Sequence, residues 1–299
     1  MAHLNDRLRP IRGSIPALIT PFRNGLVDEQ AFANFVESQI AGGSQALVPC
    51  GTTGEAVTLS FEEHVRVVEM CVEAAAGRVP VIAGAGSNST AHAIELARAC
   101  KGAGADAVLV VAPYYNKPSQ DGIVAHFEAI NDAVDIPIVA YNVPGRTVVD
   151  IGVEAMGRLA ALANVIGVKD ATSDLSRVAR HRALCGADFI QLSGEDASAL
   201  GFNALGGVGC ISVTANAAPK LCAQMQAATL EGDFEAAREI DAKLAALHKA
   251  MFIEPSPAPA KYACSLLGLC TEEVRLPIIP VSEPGKAQIR QAMTQAGLI

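Results

Sequence analysis

The sequence predicts a (β/α)8 barrel with a helical appendage at its C-terminal end. Three observations carry this expectation. Short apolar runs rich in Val, Ile and Leu recur as far as Val213, with amphipathic helical stretches between them. Most of the runs lack polar alternation, as strands buried on both faces do. The 299 residues suit one barrel of about 250 residues plus an extra segment.

The strand expectations, in order, are residues 17–20, 45–50, 79–84, 107–113, 137–143, 165–171, 189–194 and 207–213. Between them the helical period returns. Asp28 precedes Phe32, Phe35, Val36 and Ile40, and Gly42-Gly43 stops that helix. Ser60-Phe61-Glu62-Glu63 reads as a capping box before Val67, Val68 and Cys71. Ser89 and Thr90 open a third helix that ends at Gly102-Ala103-Gly104. An open doubly wound sheet is the alternative, but Thr20-Pro21-Phe22 stands where a dinucleotide-binding G-x-G-x-x-G would follow the first strand. From about Pro219 onward helices follow one another, including one through Phe234, Ala237, Ile240, Leu244, Leu247 and Met251. The expected division is a catalytic barrel over residues 1–230 and a C-terminal helical domain over 231–299.

Composition narrows the partners. Hydrophobic residues make up 51% of the chain, enough for a large core, and the formal net charge is -8. No basic stripe is present, which argues against nucleic acid. Residues 1–10 are polar and lack the apolar run of a signal peptide, and no stretch has the length and apolarity of a membrane span. The eight Cys form no C-x-x-C pair and read as reduced core residues of a cytoplasmic protein. The six His form no H-x-x-x-H or H-x-H pair, so no metal site is expected.

Barrel enzymes hold their chemistry at the C-terminal ends of the strands. Lys169 is the one Lys that falls within an expected strand. A buried Lys loses its charge more easily and becomes a nucleophile. The plainer alternative is a core Lys paired with Asp170, Glu195 or Glu55. Tyr114 and Tyr115 follow the fourth strand and Tyr141 ends the fifth, where a hydroxyl can relay protons or simply pack with its polar end wet. Gly51-Thr52-Thr53-Gly54-Glu55 ends the second strand; it offers N–H groups and hydroxyls to a carboxylate, or is an ordinary turn whose Thr caps the next helix. Arg146 follows the fifth strand and suits a second carboxylate, or forms a surface salt bridge. Gly206-Gly207-Val208-Gly209 has no Lys or Arg close by in sequence and reads as room for a small substrate rather than a phosphate cradle.

As a set and in this order, Gly51-Thr52-Thr53-Gly54-Glu55, Pro113-Tyr114-Tyr115-Asn116, Tyr141-Asn142-Val143-Pro144-Gly145-Arg146-Thr147 and Gly167-Val168-Lys169-Asp170-Ala171-Thr172 closely resemble the dihydrodipicolinate synthase (4-hydroxy-tetrahydrodipicolinate synthase) family of the N-acetylneuraminate lyase and class I aldolase superfamily. The likeness continues through Leu192-Ser193-Gly194-Glu195-Asp196 and Ile211-Ser212-Val213-Thr214-Ala215-Asn216, over about residues 13–299. It implies condensation of pyruvate with L-aspartate 4-semialdehyde through an imine on Lys169, on the diaminopimelate route to lysine. By resemblance Tyr141, Thr52 and Tyr115 form the proton relay, with Tyr115 crossing from a neighbouring subunit. Thr53 holds the pyruvate carboxylate, Arg146 receives the semialdehyde carboxylate, and Gly194 and Ile211 match backbone positions that line the pocket. A homotetramer built as a dimer of dimers is implied, with no cofactor and no metal.

The resemblance departs at two places. His64, Asn88 and Tyr114 match the family's lysine-inhibition site. Phe61 stands where inhibited relatives have His, and His92 where they have an acidic residue for the lysine amino group. A His cannot replace a carboxylate against an ammonium, so weak or absent lysine feedback is expected. Ser256 stands where Asn is usual, with no role read from sequence. A related pyruvate-dependent lyase or aldolase acting on a sugar acid would share Lys169 and Tyr141, but Arg146, Thr52-Thr53 and Tyr114-Tyr115 favour the synthase. A catalytically silent binding barrel would lack a relay group, and none is missing here.

Overall fold

The computed structural model describes residues 11–299, so the reading of residues 1–10, His3 included, lies outside the described residues. Strand β1 (Gly13–Pro16) is followed by a small antiparallel hairpin of β2 (Phe22–Arg23) and β3 (Leu26–Val27), then helices α1 (Glu29–Ala41) and α2 (Phe61–Ala75). Next come β4 (Ile82–Gly84), α3 (Thr90–Gly102), β5 (Ala107–Val111) and α4 (Gln120–Ala133). Strand β6 (Ile138–Asn142) leads through the single turn α5 (Pro144–Thr147) to α6 (Val153–Ala160), and β7 (Val165–Asp170) leads to α7 (Ser176–Cys185). Strand β8 (Ile190–Ser193), α8 (Ala199–Ala204), β9 (Gly209–Ser212) and α9 (Pro219–Glu231) complete the barrel. Helices α10 (Phe234–Ala250), α11 (Ala258–Leu266) and α12 (Glu283–Gln295) form the appendage.

Seven strands form one parallel sheet in the order β1-β9-β8-β7-β6-β5-β4. The eighth stave is the segment 45–49. It is too irregular for a strand, yet it hydrogen-bonds on both sides. Gln45 and Val48 N–H donate to Ser14 and Pro16 carbonyls at 2.9 and 3.0 Å, and Ile82 and Gly84 N–H donate to Leu47 and Pro49 carbonyls at 2.8 and 2.9 Å. The barrel is therefore closed, with the second expected strand reduced to bridges at Leu47 and Val48. Pro49 lacks an N–H and Cys50 adopts φ 53, and both stop regular pairing there.

The first strand lies earlier than expected, at 13–16 rather than 17–20, because Gly-Ser-Ile-Pro reads locally as a turn. Close packing decides the matter. A Cβ on Gly209 would stand 2.4 Å from the Gly13 backbone, so these two chains meet only because residue 209 has no side chain. The other six expected strands contain the observed ones, trimmed at their ends.

Alternation along the strands divides the apolar residues into two layers. Ile15, Val48, Ile82, Leu109, Val139, Tyr141, Leu192 and Ile211 fill the barrel interior. Ile138, Ala140 and Val168 face outward, in one apolar cluster with helix residues such as Phe32, Phe35, Phe127 and Leu244. The expected caps form at Asp28, Ser60 and Ser89, and Ser60 with Glu63 makes the full capping box. No helix among the described residues is long and apolar enough to cross a membrane.

Buried Asn216 ties the ends of β1 and β9. Its amide donates to the Ala17 and Val213 carbonyls at 2.8 and 2.9 Å, and its oxygen accepts from Ile19 N–H at 3.0 Å. Replacing it by Ala leaves buried backbone groups unpaired. Asn216→Ala is expected to lower the unfolding free energy by about 2–4 kcal/mol, for one to two such groups; urea titration followed by circular dichroism measures it.

Candidate active site

The site is set by strand register. Tyr141 on β6 is paired directly with Lys169 on β7, and Asn142 with Asp170. Tyr141 and Lys169 therefore share the interior face while Asn142 and Asp170 share the exterior one. Lys169 Nζ lies 4.2 Å from the centre of the Tyr141 ring, and the Lys side chain is 5% exposed. It makes no ion pair or hydrogen bond among the described residues. Each carboxylate that sequence offered as its partner is engaged or apart: Asp170 pairs with Arg177, Glu55 pairs with Lys261, and Glu195 stands across the same cavity.

Gly194, after β8, makes room for this Lys. A methyl at that position would come to 2.8 Å from Ala171 Cβ and 3.1 Å from Lys169 Cε. Any larger residue would push the amine out of its place.

Two cavities meet at the barrel mouth. One, of about 360 Å³, is lined by Lys169, Thr52, Thr53, Tyr141, Arg146, Gly194, Glu195 and Ser256 among others. The second, of about 210 Å³, shares Thr52, Tyr141, Val143 and Arg146 with the first and reaches Tyr114. Tyr141, Thr52 and Arg146 thus stand between a lobe holding the amine and a lobe leading outward. Arg146, on the exposed turn α5, makes no ion pair among the described residues, so its guanidinium is available to an anion.

Two predicted residues are not brought in. Tyr115 is 86% exposed at φ 69 and lines neither lobe. The Ile211 side chain packs in the barrel interior and does not line the Lys169 lobe, where Val213 supplies part of the wall. Two further wall residues are Ser256, for which sequence gave no role, and Glu195, which sequence offered only as an ion-pair partner of Lys169. Ser256, buried in the loop before α11, faces the Lys169 lobe. Glu195 faces it too, and burial raises its carboxyl above the ordinary value, opposed by the Ala197 N–H and by nearby Lys169. The signal for Glu195 was present in its place directly after Gly194.

A third cavity, of about 210 Å³, opens beside the second and is lined by His64, Phe61, His92, Ser87 and Tyr114 among others. His64 is buried, its Nε2–H donating to the Gly84 carbonyl at 2.8 Å, and burial lowers its pKa. Asn88 is not part of this wall; its carbonyl accepts from Asn116 at 2.9 Å. No carboxylate lines the cavity, and His92 turns its Nδ1 to Glu95 at 3.0 Å. Among the described residues no three His, Cys, Asp or Glu side chains are grouped to hold a metal ion.

Comparison with known proteins accords with this geometry. The statistical model of the "Dihydrodipicolinate synthetase family" matches residues 10–296. The chain belongs to that family. A 4-hydroxy-tetrahydrodipicolinate synthase of Parvibaculum lavamentivorans is 63% identical over 288 residues, 96% of this chain and 99% of the relative. The crystal structure of the chloride-inhibited dihydrodipicolinate synthase of Acinetobacter baumannii complexed with pyruvate is 44% identical, with a TM-score of 0.94 over 97% of this chain and 100% of the other. A dihydrodipicolinate synthase of Cyanidioschyzon merolae with lysine bound is 38% identical, with a TM-score of 0.94 over 97% and 99% of the two chains. The family match runs from before β1 through α12, so the helical appendage belongs to the dihydrodipicolinate synthetase fold as much as the barrel does.

Outside the barrel, directly behind Tyr141 and Lys169, a buried polar network holds β6 to β7. Arg177 donates to Asp170 at 3.1 Å and to Asp150 at 3.0 Å, and Asn142 donates to Asp150 at 2.7 Å. Thr172 adds two hydrogen bonds to Asp170. Removing the Arg would strand a buried carboxylate. Arg177→Met is expected to destabilise by about 3–5 kcal/mol, measured by equilibrium denaturation, with Arg177→Lys recovering only part because one ammonium cannot reproduce the fork.

Proposed function

We propose that the chain catalyses the 4-hydroxy-tetrahydrodipicolinate synthase reaction, with Lys169 as the Schiff-base nucleophile. The observation that carries this reading is an amine at a cavity mouth with no carboxylate partner, held beside a tyrosine by strand register. Lys169 Nζ attacks the pyruvate keto carbon, and loss of water gives an imine. Loss of a proton from the methyl carbon gives the enamine. That carbon attacks the aldehyde carbon of L-aspartate 4-semialdehyde and leaves a hydroxyl there. The semialdehyde amino group then displaces the Lys nitrogen from the imine carbon, which closes the ring and frees the enzyme.

Thr53 and the turn amides would hold the pyruvate carboxylate, and Tyr141 with Thr52 would move protons during addition and dehydration. Arg146 would take the semialdehyde carboxylate between the two lobes, a demand that a neutral sugar chain would not make. Tyr115 would complete the relay of a second copy in a homotetramer, which accounts for an aromatic side chain held outward at positive φ. No metal or organic cofactor is required by these steps. Eight unpaired thiols suit the cytoplasm.

The third cavity is the place to which a lysine inhibitor would go. Its wall offers an ammonium no carboxylate, and a buried ammonium without one is costly. Lysine at millimolar concentration is therefore expected to leave the initial rate of the purified enzyme unchanged; half-inhibition in the low micromolar range would overturn this. For the mechanism, incubation with pyruvate followed by borohydride is expected to place a stable adduct on the peptide containing Lys169, located by mass spectrometry. Lys169→Arg is expected to abolish both adduct and activity. Activity without an adduct on Lys169 would sink the imine route.

A further inference from the structure

The turn that carries Thr52 and Thr53 is held from outside the barrel. Within the turn, Gly51 O accepts from Gly54 N–H at 3.1 Å and Thr52 O accepts from Glu55 N–H at 3.1 Å, while the Thr20 hydroxyl donates to Gly54 O at 2.7 Å. Glu55 itself sits at φ 56, a left-handed conformation that a non-glycine residue holds only when its surroundings impose it. Its side chain is 3% exposed and lines none of the cavities at the mouth.

The Glu55 carboxylate is held from the appendage. One Glu55 carboxylate oxygen is 2.5 Å from Nζ of Lys261 on α11, in a charge contact rather than an aligned hydrogen bond, and the other accepts from Arg275 N–H at 2.9 Å. Lys261 is fully buried. It donates to the Glu273 carbonyl at 2.8 Å and lies 3.9 Å from the centre of the Phe22 ring. The Arg275 guanidinium faces the same ring at 4.3 Å, and it also donates to the Thr58 carbonyl and to both oxygens of Glu63. A buried ion pair gains little over an apolar pair of the same shape, because desolvation offsets the attraction. An apolar pair would not aim a carboxylate, and through it the two residues that precede Gly54.

We propose that Lys261 is a positioning residue: through Glu55 it sets the direction of Thr52 and Thr53, so that the C-terminal appendage shapes the carboxylate-binding turn. This rests on the reading of the Lys169 lobe as the pyruvate site. The turn carries both Thr53, read as the carboxylate ligand, and Thr52, read as a relay group, so loss of the pair weakens pyruvate binding and slows turnover while the amine itself stays in place.

The test measures steady-state constants, borohydride trapping and thermal unfolding for Glu55→Gln, Lys261→Met, Lys261→Arg and the double variant Glu55→Gln/Lys261→Met. Glu55→Gln is nearly isosteric and decides the matter if Lys261→Met does not fold. The expected result is a rise of tenfold or more in KM for pyruvate in Glu55→Gln and Lys261→Met, with Lys169 still trapped at saturating pyruvate. The double variant should resemble either single one, since the pair acts as a unit, and Lys261→Arg should restore part of the affinity. Asn203→Ala, which opens a buried contact with Gln226 and Thr229 away from both lobes, controls for lost stability and should keep the parental KM. A folded Glu55→Gln with KM for pyruvate within twofold of the parent overturns the proposal. A parent that is active but not trapped on Lys169 overturns instead the reading on which it rests.

Discussion

The parallel register of β6 on β7 is the constraint from which the site follows. Because Tyr141 and Lys169 are paired residues, their side chains must leave the sheet on the same face, side by side. A slip of one residue would present Asn142 or Asp170 to the cavity and bury the amine among the helices. The register is defended twice. On the interior, Gly194 admits the Lys side chain where any Cβ would collide. On the exterior, Arg177 joins the residues next in sequence, Asp170 directly and Asn142 through Asp150.

The same economy recurs around the mouth. Asp196 accepts from the Ser212 hydroxyl and from the Val213 and Thr214 N–H groups, fixing the end of β9 against β8. Asn216 fixes β9 against β1. Each tie is a buried polar side chain satisfied by backbone or by charge. Each stands at the end of the strands where the cavity opens. Rigidity is thus concentrated where small displacements would matter most to a bound substrate.

Much of this was legible in the sequence, and the limits have physical causes. Six strands declared themselves because both their faces are buried and their runs are mostly apolar. The first was displaced because Gly13 and Pro16 carry turn character that neighbouring strands override. The second lost its regular pairing at Pro49 and Cys50, and the Phe22–Val27 hairpin was too short to leave a pattern. Lys169 stood out by its place at a strand end, and five of the residues grouped with it, Tyr141, Thr52, Thr53, Arg146 and Gly194, reach the same cavity. Tyr115 does not, because the cavity of one chain ends before it. The Lys261–Glu55 pair could not be read: Glu55 and its other partner Arg275 are 220 positions apart, and nothing local marks either as a partner.

The cysteines have a consequence for selectivity among nucleophiles. The chain carries eight thiols, none in a disulfide. Burial pushes Cys100 up to about 12 and Cys185 and Cys270 to about 11, and it raises Cys50, which reaches the cavity wall, well above the usual thiol value. Thiolates add to aldehydes readily, and Cys50 lines the lobe that adjoins the one holding the amine. Cys50 is 2% exposed, with its Sγ turned to the His64 carbonyl at 3.5 Å and away from the cavity space. The fold thus keeps the thiol nearest the mouth buried and the Lys169 amine facing the cavity, a sorting of nucleophiles that their count alone does not reveal.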